Sequence, residues 1–175
     1  MAALLLLLLP RGARAEPSFF VPDSTALLVG VGPAASLVPR VSPAVAFSLG
    51  VEGLVNGHHG VGGSLHYLKQ LPISVLGSRS RSSVVHLALG YRYGLPRTFG
   101  EVGGYFAVAL GPGFSSECRG DVCAGFGAGA RLEAGLYAPL GETTALTIGV
   151  EATLFQLLIF ATPTLLPAVR VGLVL

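Results

Sequence analysis

The feature that most constrains this chain is an alternation of apolar residues with small or polar ones at a period of two. It is clearest in segment 85–93, VHLALGYRY, and it recurs in segments 45–51, 102–110, 126–136, 146–154 and 169–175. A period of two indicates extended strands, because successive side chains of a strand point to opposite faces of a sheet. One face of these strands is almost purely aliphatic. The chain is therefore predicted to be all-β.

The charges in the middle of these strands all lie on the other face. They come from six of the predicted strands: Glu52, Arg92, Glu101, Arg131, Glu133, Glu151 and Arg170. Lys69 shares the parity of the aliphatic face, but it lies at a strand end, where its amine can reach polar surroundings. A Lys or Arg in the middle of a lipid-facing strand costs roughly 2–4 kcal/mol. This asymmetry favours an aliphatic face in contact with lipid and a network of paired charges in a lumen.

Composition supports a membrane protein that crosses the bilayer with strands. Hydrophobic residues make up 51% of the 175 residues and charged residues 11%, against roughly 25% charged in ordinary soluble domains. The longest apolar stretch, 154–175, is interrupted by Pro163, Pro167 and Arg170. Only helices and closed barrels satisfy all backbone polar groups in lipid. The alternative is a soluble, lipocalin-like secreted barrel, which would hold its apolar face inside and its charges outside.

Eight extended segments are predicted, at 24–36, 42–54, 60–70, 83–95, 100–112, 123–138, 143–157 and 166–175. Eight is the smallest common strand number of membrane barrels, and each segment is near the length of a tilted span. Tight turns at 56–59, 95–99 and 139–142 alternate with generally longer connections. We therefore expect an eight-stranded antiparallel up-and-down transmembrane β-barrel, with both termini and the tight turns on the periplasmic side.

The N-terminus predicts export. Residues 2–9 form an apolar block too short to span a bilayer, and Ala13-Arg14-Ala15 offers a small-x-small cleavage site. Residues 1–15 are predicted to be a cleaved signal peptide and residues 16–175 the barrel; the alternative is an ordinary apolar arm. Cleavage would leave nine basic and nine acidic residues. That balance gives no electrostatic case for binding nucleic acid.

The two cysteines, Cys118 and Cys123, lie in a polar connection between the fifth and sixth segments. An even pair in an exported protein indicates a disulfide that closes a small loop. A metal site is the alternative, but it would need two further ligands, and no His lies nearby in sequence.

In export signal, strand number, alternation, turn asymmetry and inward charges, the chain resembles the small eight-stranded outer-membrane barrels of the OmpA transmembrane-domain and OmpX type. The resemblance covers essentially the whole mature chain. It implies a monomer in the outer membrane of a Gram-negative cell, with outer-membrane lipids and the outer-membrane assembly machinery as partners. Barrels of this type usually end in an aromatic residue that the assembly machinery recognises, and Leu175 stands there instead.

An eight-stranded barrel has an interior just wide enough for side chains to fill it. We therefore expect a non-enzymatic barrel with a polar, filled lumen, no cofactor, and external loops with structural or surface-interaction roles. A narrow channel for ions or small solutes is the alternative, with the inward charges lining its path.

A lipid A-modifying enzyme is the remaining alternative. The lipid A deacylases among such barrels resemble serine hydrolases on the outer wall, because a serine hydroxyl needs a base within hydrogen-bond reach. Their His and Ser lie two residues apart on one strand face, near an acid. Ser64 and His66 occur in the reverse order and are predicted to face inward, and His86 has no Ser at that spacing. A metal site of His58 and His59 with His66 has no diagnostic spacing, so no catalytic or metal residue is predicted.

Overall fold

A computed structural model describes residues 25–37, 42–55, 58–71, 82–95, 102–116, 125–141, 144–158 and 163–175. Its strands are β1 (Thr25–Ser36), β2 (Ser42–Val55), β3 (His59–Gln70), β4 (Ser83–Gly94), β5 (Gly103–Ser115), β6 (Gly125–Pro139), β7 (Ala145–Leu157) and β8 (Thr164–Val174). Each strand pairs antiparallel with the next, and β8 pairs with β1. The predicted eight-stranded up-and-down barrel is confirmed. Within the described ranges, no helix is long and apolar enough to cross a membrane.

The strand ends lie within three residues of the predicted ends. The largest differences are in β5, which begins at Gly103 instead of residue 100 and continues through Pro112 to Ser115. Proline lacks an N–H to donate, and the regular pairing of β4 with β5 is interrupted between Leu89↔Leu110 and His86↔Gly113. Pairing with β6 continues past Pro112 without a break, so the strand extends three residues beyond its predicted end at residue 112.

The seam between β1 and β8 also contains prolines. Leu27 and Leu175 exchange backbone hydrogen bonds of 2.9 Å across it. The direction of the backbone hydrogen bonds alternates along a strand. The N–H and C=O groups of the odd-numbered residues of β1 and β8 therefore point across the seam, and Pro33 and Pro167 are two of these residues. Neither proline can donate a backbone hydrogen bond, so the seam lacks two such bonds. Its regular pairing stops after Val31, and one further pair follows, Ala34↔Ala168. Prolines in sheets favour edge strands, and β1 and β8 are the edges before closure.

The barrel closes with a stagger. Following the register from partner to partner around all eight strands returns to β1 ten residues further along. Closure with such a shift tilts the strands by roughly 35–45°. Inward residues at the same height in the lumen therefore come from different positions along their own strands.

The two faces of the sheet have opposite character. Leu89 is 77% exposed and Leu110 is 67% exposed, whereas Glu133 is 3% exposed. Every strand presents exposed large apolar side chains, for example Leu27, Leu49, Val61, Leu89, Leu110, Leu132, Ile148 and Val171. Among the described residues, Lys69 is the one charge on this outer face. The distribution is the reverse of that of a soluble barrel.

Apolar side chains pack inside the barrel at both of its ends. We call the end that holds both termini of the described sheet the inner end and the opposite end the outer end. The inner cluster is formed by Ala26, Leu54, Ala145 and Val174, with Leu28 against it. The outer cluster is formed by Ala44, Leu68, Val84, Phe155, Leu157 and Leu166, with Ala34 against it. The inward charges lie in the layer between the two clusters.

Candidate functional site in the lumen

The polar layer contains most of the predicted inward charges. Glu101 lies outside the described residues. The others face the lumen, and all except the partly exposed Glu52 are buried: Glu52, Arg92, Arg131, Glu133, Glu151 and Arg170. Three carboxylates and three guanidinium groups therefore share this layer within the described part of the chain, without a net charge.

Arg170 binds two carboxylates that would otherwise repel each other. Glu133 of β6 and Glu151 of β7 are direct cross-strand partners, and like charges at such positions are destabilising. The Arg170 guanidinium donates from Nη2 to Glu133 Oε1 and lies with Nη1 3.5 Å from Glu151 Oε2. The same Nη1 donates to Ser48 Oγ at 3.0 Å. A single arginine therefore compensates both acids from strand β8.

Tyr105 connects this cluster to a second ion pair. Its hydroxyl donates to Glu133 Oε1 at 2.6 Å, and the guanidinium carbon of Arg92 lies 4.6 Å from the centre of its ring. Arg92 in turn donates from Nε to Glu52, with nitrogen–oxygen distances of 3.1 and 3.2 Å to the two carboxylate oxygens. The network is thus continuous from Glu52 to Glu151. Sequence reasoning missed Tyr105, although its parity with the inward Gly103 marks it.

The mid-strand position of Arg131 predicts that it centres the network, with Glu101 and Glu151 as its partners. In the structure Arg131 lies beside the ion pairs of the described residues, and Glu101 lies outside those residues. The register places Ala109 and Thr153 opposite Arg131 on the neighbouring strands. Its Nη2 donates to Ser64 Oγ at 3.3 Å, across the lumen from β3. Two ion pairs of the described residues involve Arg170, which reaches both Glu133 and Glu151, and a third joins Arg92 to Glu52.

Glycines make room for the large inward side chains. A Cβ built on any of four inward glycines would come within 2.8 Å of such a group: Tyr137 at Gly103, Phe155 at Gly113, His86 at Gly129 and Tyr105 at Gly149. Small residues facing large ones allow a narrow interior to be filled without voids. The glycine enrichment of the strands is thus part of the lumen packing.

The histidines and Ser64 do not form a hydrolase site on the outer wall. His66 and Ser64 both face inward, and the Ser64 hydroxyl accepts a hydrogen bond from Arg131. His86 donates from Nε2 to the carbonyl of Gly111 at 3.2 Å, and its ring centre lies 6.5 Å from that of His66. These contacts make the two histidines part of the lumen packing.

The other histidines lie at the inner end. His59 Nδ1 is 2.6 Å from the hydroxyl of Tyr91, and His58 Nδ1 is 3.2 Å from the carbonyl oxygen of Gly94. His66 is seven residues from His59 on the same strand, about 23 Å at the usual rise. The three histidines therefore do not converge, and no group of three potential metal ligands occurs among the described residues.

Two further predictions concern residues outside the described ranges. The predicted disulfide between Cys118 and Cys123 lies in segment 117–124, and the predicted signal peptide lies in segment 1–24. Both stay predictions.

Comparison with known proteins gives relatives in structure only. No protein-family model and no curated protein matches the chain. Neisserial surface protein A matches with a TM-score of 0.66 at 10% identity, over 86% of this chain and 96% of that one. The outer membrane enzyme PagL matches with a TM-score of 0.57 at 13% identity, over 86% and 98% of the two chains.

The N-terminal β-barrel domain of Pseudomonas aeruginosa OprF matches with a TM-score of 0.54 at 11% identity, over 88% of this chain and 98% of that domain. The chain therefore has the fold of the small eight-stranded outer-membrane β-barrels. At these identities the likeness concerns the fold, which is shared by an enzyme and by other proteins.

Proposed function

We propose that this protein is an integral outer-membrane barrel that does not conduct and does not catalyse, and whose external loops serve structural or surface-interaction roles. The observation that carries the proposal is the filled lumen. A charge-balanced polar network lies between two clusters of buried apolar side chains, which pack inside the barrel towards its two ends. Such an interior provides neither a continuous aqueous path nor a selective field.

The fold and the outward apolar face support a place in the outer membrane. Solved structures of the same fold include outer-membrane proteins. We propose that the inner end, with both termini, faces the periplasm, and that outer-membrane lipids and the assembly machinery are the partners. A monomer is sufficient, since the sheet closes within one chain.

Single-channel recording tests the closed lumen. The folded protein, checked by its heat-dependent gel shift, is inserted into a planar lipid bilayer and should give no conductance steps at either polarity. A triple variant, Leu54→Ala, Leu68→Ala and Phe155→Ala, thins both apolar clusters and should give steps. A matched triple variant of the outer wall, Leu89→Ala, Leu110→Ala and Leu132→Ala, should remain silent. Regular steps from the parent protein would overturn the proposal.

A narrow channel is the second candidate, and one observation favours it. Several buried polar atoms of the central layer, including Nε2 of His66, Nη1 of Arg131 and Oε2 of Glu151, have no hydrogen-bond partner in the described structure. Such atoms could line a path for ions once the clusters move. The recordings above distinguish this candidate directly.

A lipid-modifying activity is less well supported, because Ser64 and His66 are turned away from the lipid. Mass analysis of lipid A from cells with and without the protein tests this activity. The proposal requires identical acylation in the two samples.

A further inference from the structure

The outer wall carries a groove across the seam between β1 and β8 and over the adjacent strands. Its volume is about 680 Å³ and its lining is almost wholly apolar, including Val29, Val31, Phe47, Leu49, Leu65 and Tyr67. Its lining combines the short valine side chains of β1 and β8 with larger leucine and aromatic side chains of β8 and the neighbouring strands. The groove is therefore an extended apolar depression in the apolar outer face.

A second cavity continues the groove towards the outer end. It has a volume of about 540 Å³ and shares Phe47 and Tyr67 with the first cavity. These two rings are cross-strand partners, stacked with centres 6.3 Å apart and an interplanar angle of 26°. Beyond these rings the lining gains polar side chains alongside the apolar Val45 and Leu71.

The far part of the second cavity is lined by Lys69, Ser83 and Ser116. The two serine hydroxyl oxygens lie 3.0 Å apart, and the Ser83 N–H donates to Ser116 Oγ at 3.0 Å. Lys69 is exposed, and it is the one outward charge of the described strands. An ammonium group beside hydroxyl groups complements an anion with several acceptor oxygens, such as a phosphate.

We propose that the joined cavities bind one phosphate-bearing, acylated glycolipid of the lipid A type from the outer leaflet. One of its acyl chains lies along the groove over β1 to β3, and a phosphate of its head group lies at Lys69. This inference rests on the proposed function, which places the outer end in the outer leaflet. The opposite wall provides a comparison: a cavity of about 410 Å³ lined by Leu89, Leu110 and Leu132 has no outward charge at its end among the described residues.

Native mass spectrometry of the protein released from nanodiscs tests the inference. The nanodiscs contain phosphatidylcholine with a small fraction of lipid A. The parent should retain one lipid A molecule, and Lys69→Ala should lower the retained fraction about tenfold, as loss of a hydrogen-bonded charged contact does. The double variant Lys69→Ala/Phe114→Lys restores the charge at the outer end of another strand, and it should not recover retention.

The lipid is varied in the same experiment. Dephosphorylated lipid A and phosphatidylglycerol should each be retained about tenfold less than lipid A. Equal retention of either lipid, unchanged retention by Lys69→Ala, or recovery by the double variant would overturn the inference. The gel shift and the bilayer recording test the proposed function on the same variants, and Lys69→Ala should change neither result. A failure of the lipid inference can therefore be told apart from a failure of the proposed function.

Discussion

At the scale of single residues, the stability of the lumen depends most on Arg170. Among the residues that the structure describes, it alone bridges Glu133 and Glu151, which face each other on adjacent strands. Removing one partner of a buried ion pair leaves an uncompensated charge, at a cost of roughly 3–5 kcal/mol. Arg170→Ala should therefore lower the free energy of unfolding by about that amount, measured by urea titration in lipid vesicles with the gel shift as readout.

Matched variants compare how much each of these side chains contributes to stability. Arg131→Ala should cost less than Arg170→Ala, because the Arg131 contact described here is to a neutral hydroxyl. Lys69→Ala, on the exposed outer face, should cost little. The double variant Arg170→Ala/Glu133→Gln should recover part of the lost free energy of unfolding, because it removes one of the two carboxylate charges that Arg170→Ala leaves uncompensated. If Arg170→Ala unfolds at the same urea concentration as the parent, the assignment of Arg170 as the bridge is refuted.

Two adjacent glycines of β3 provide a sharper test of the inward face. A Cβ on the inward Gly62 would lie 2.0 Å from the carbonyl oxygen of Val51, whereas a Cβ on the outward Gly63 would meet nothing closer than 3.9 Å. Backbone cannot yield as a flexible side chain can, so Gly62→Ala should reduce folding yield severely. Gly63→Ala should fold with the parent's yield in a refolding assay into vesicles. Equal yields of the two variants would show that the face assignment of β3 is wrong.

At the scale of elements, the seam between β1 and β8 is the weakest part of the sheet. Pro33 and Pro167 remove two donors from its outer half, so fewer hydrogen bonds hold neighbouring amides there. The amides of Ala35 and Val169, which face the seam, should exchange with deuterium faster than those of Ala34 and Ala44, which pair β1 with β2. Site-resolved hydrogen exchange in lipid checks this, and equal protection across the two strand pairs would contradict it.

At the scale of the whole molecule, the sequence predicts the barrel and its two faces, but not the pairing of its charges. Parity along each strand is local, so the inward positions of Arg92, Glu133 and Arg170 follow from the alternation. Pairing depends on the ten-residue stagger, which is a property of the closed sheet. Arg170 of β8 therefore meets Glu133 of β6 across the intervening β7, a contact between strands that are not neighbours. Tyr105 of β5 meets Glu133 on the neighbouring strand β6, and this contact depends on the register of the two strands, which the alternation does not give.

The measurement that tests the central claim most directly is the depth of the outer face in a bilayer. Nitroxide labels at Phe126, Leu132 and Leu136 of β6, in a background with Cys118→Ser and Cys123→Ser, report collisions with oxygen and with a water-soluble nickel complex. If the apolar face spans the bilayer, the ratio of oxygen to nickel collisions should be highest at Leu132, in the middle of the strand, and lower at the other two positions. Nickel collisions that dominate equally at all three positions would show that this face contacts water and that the protein is not a membrane barrel.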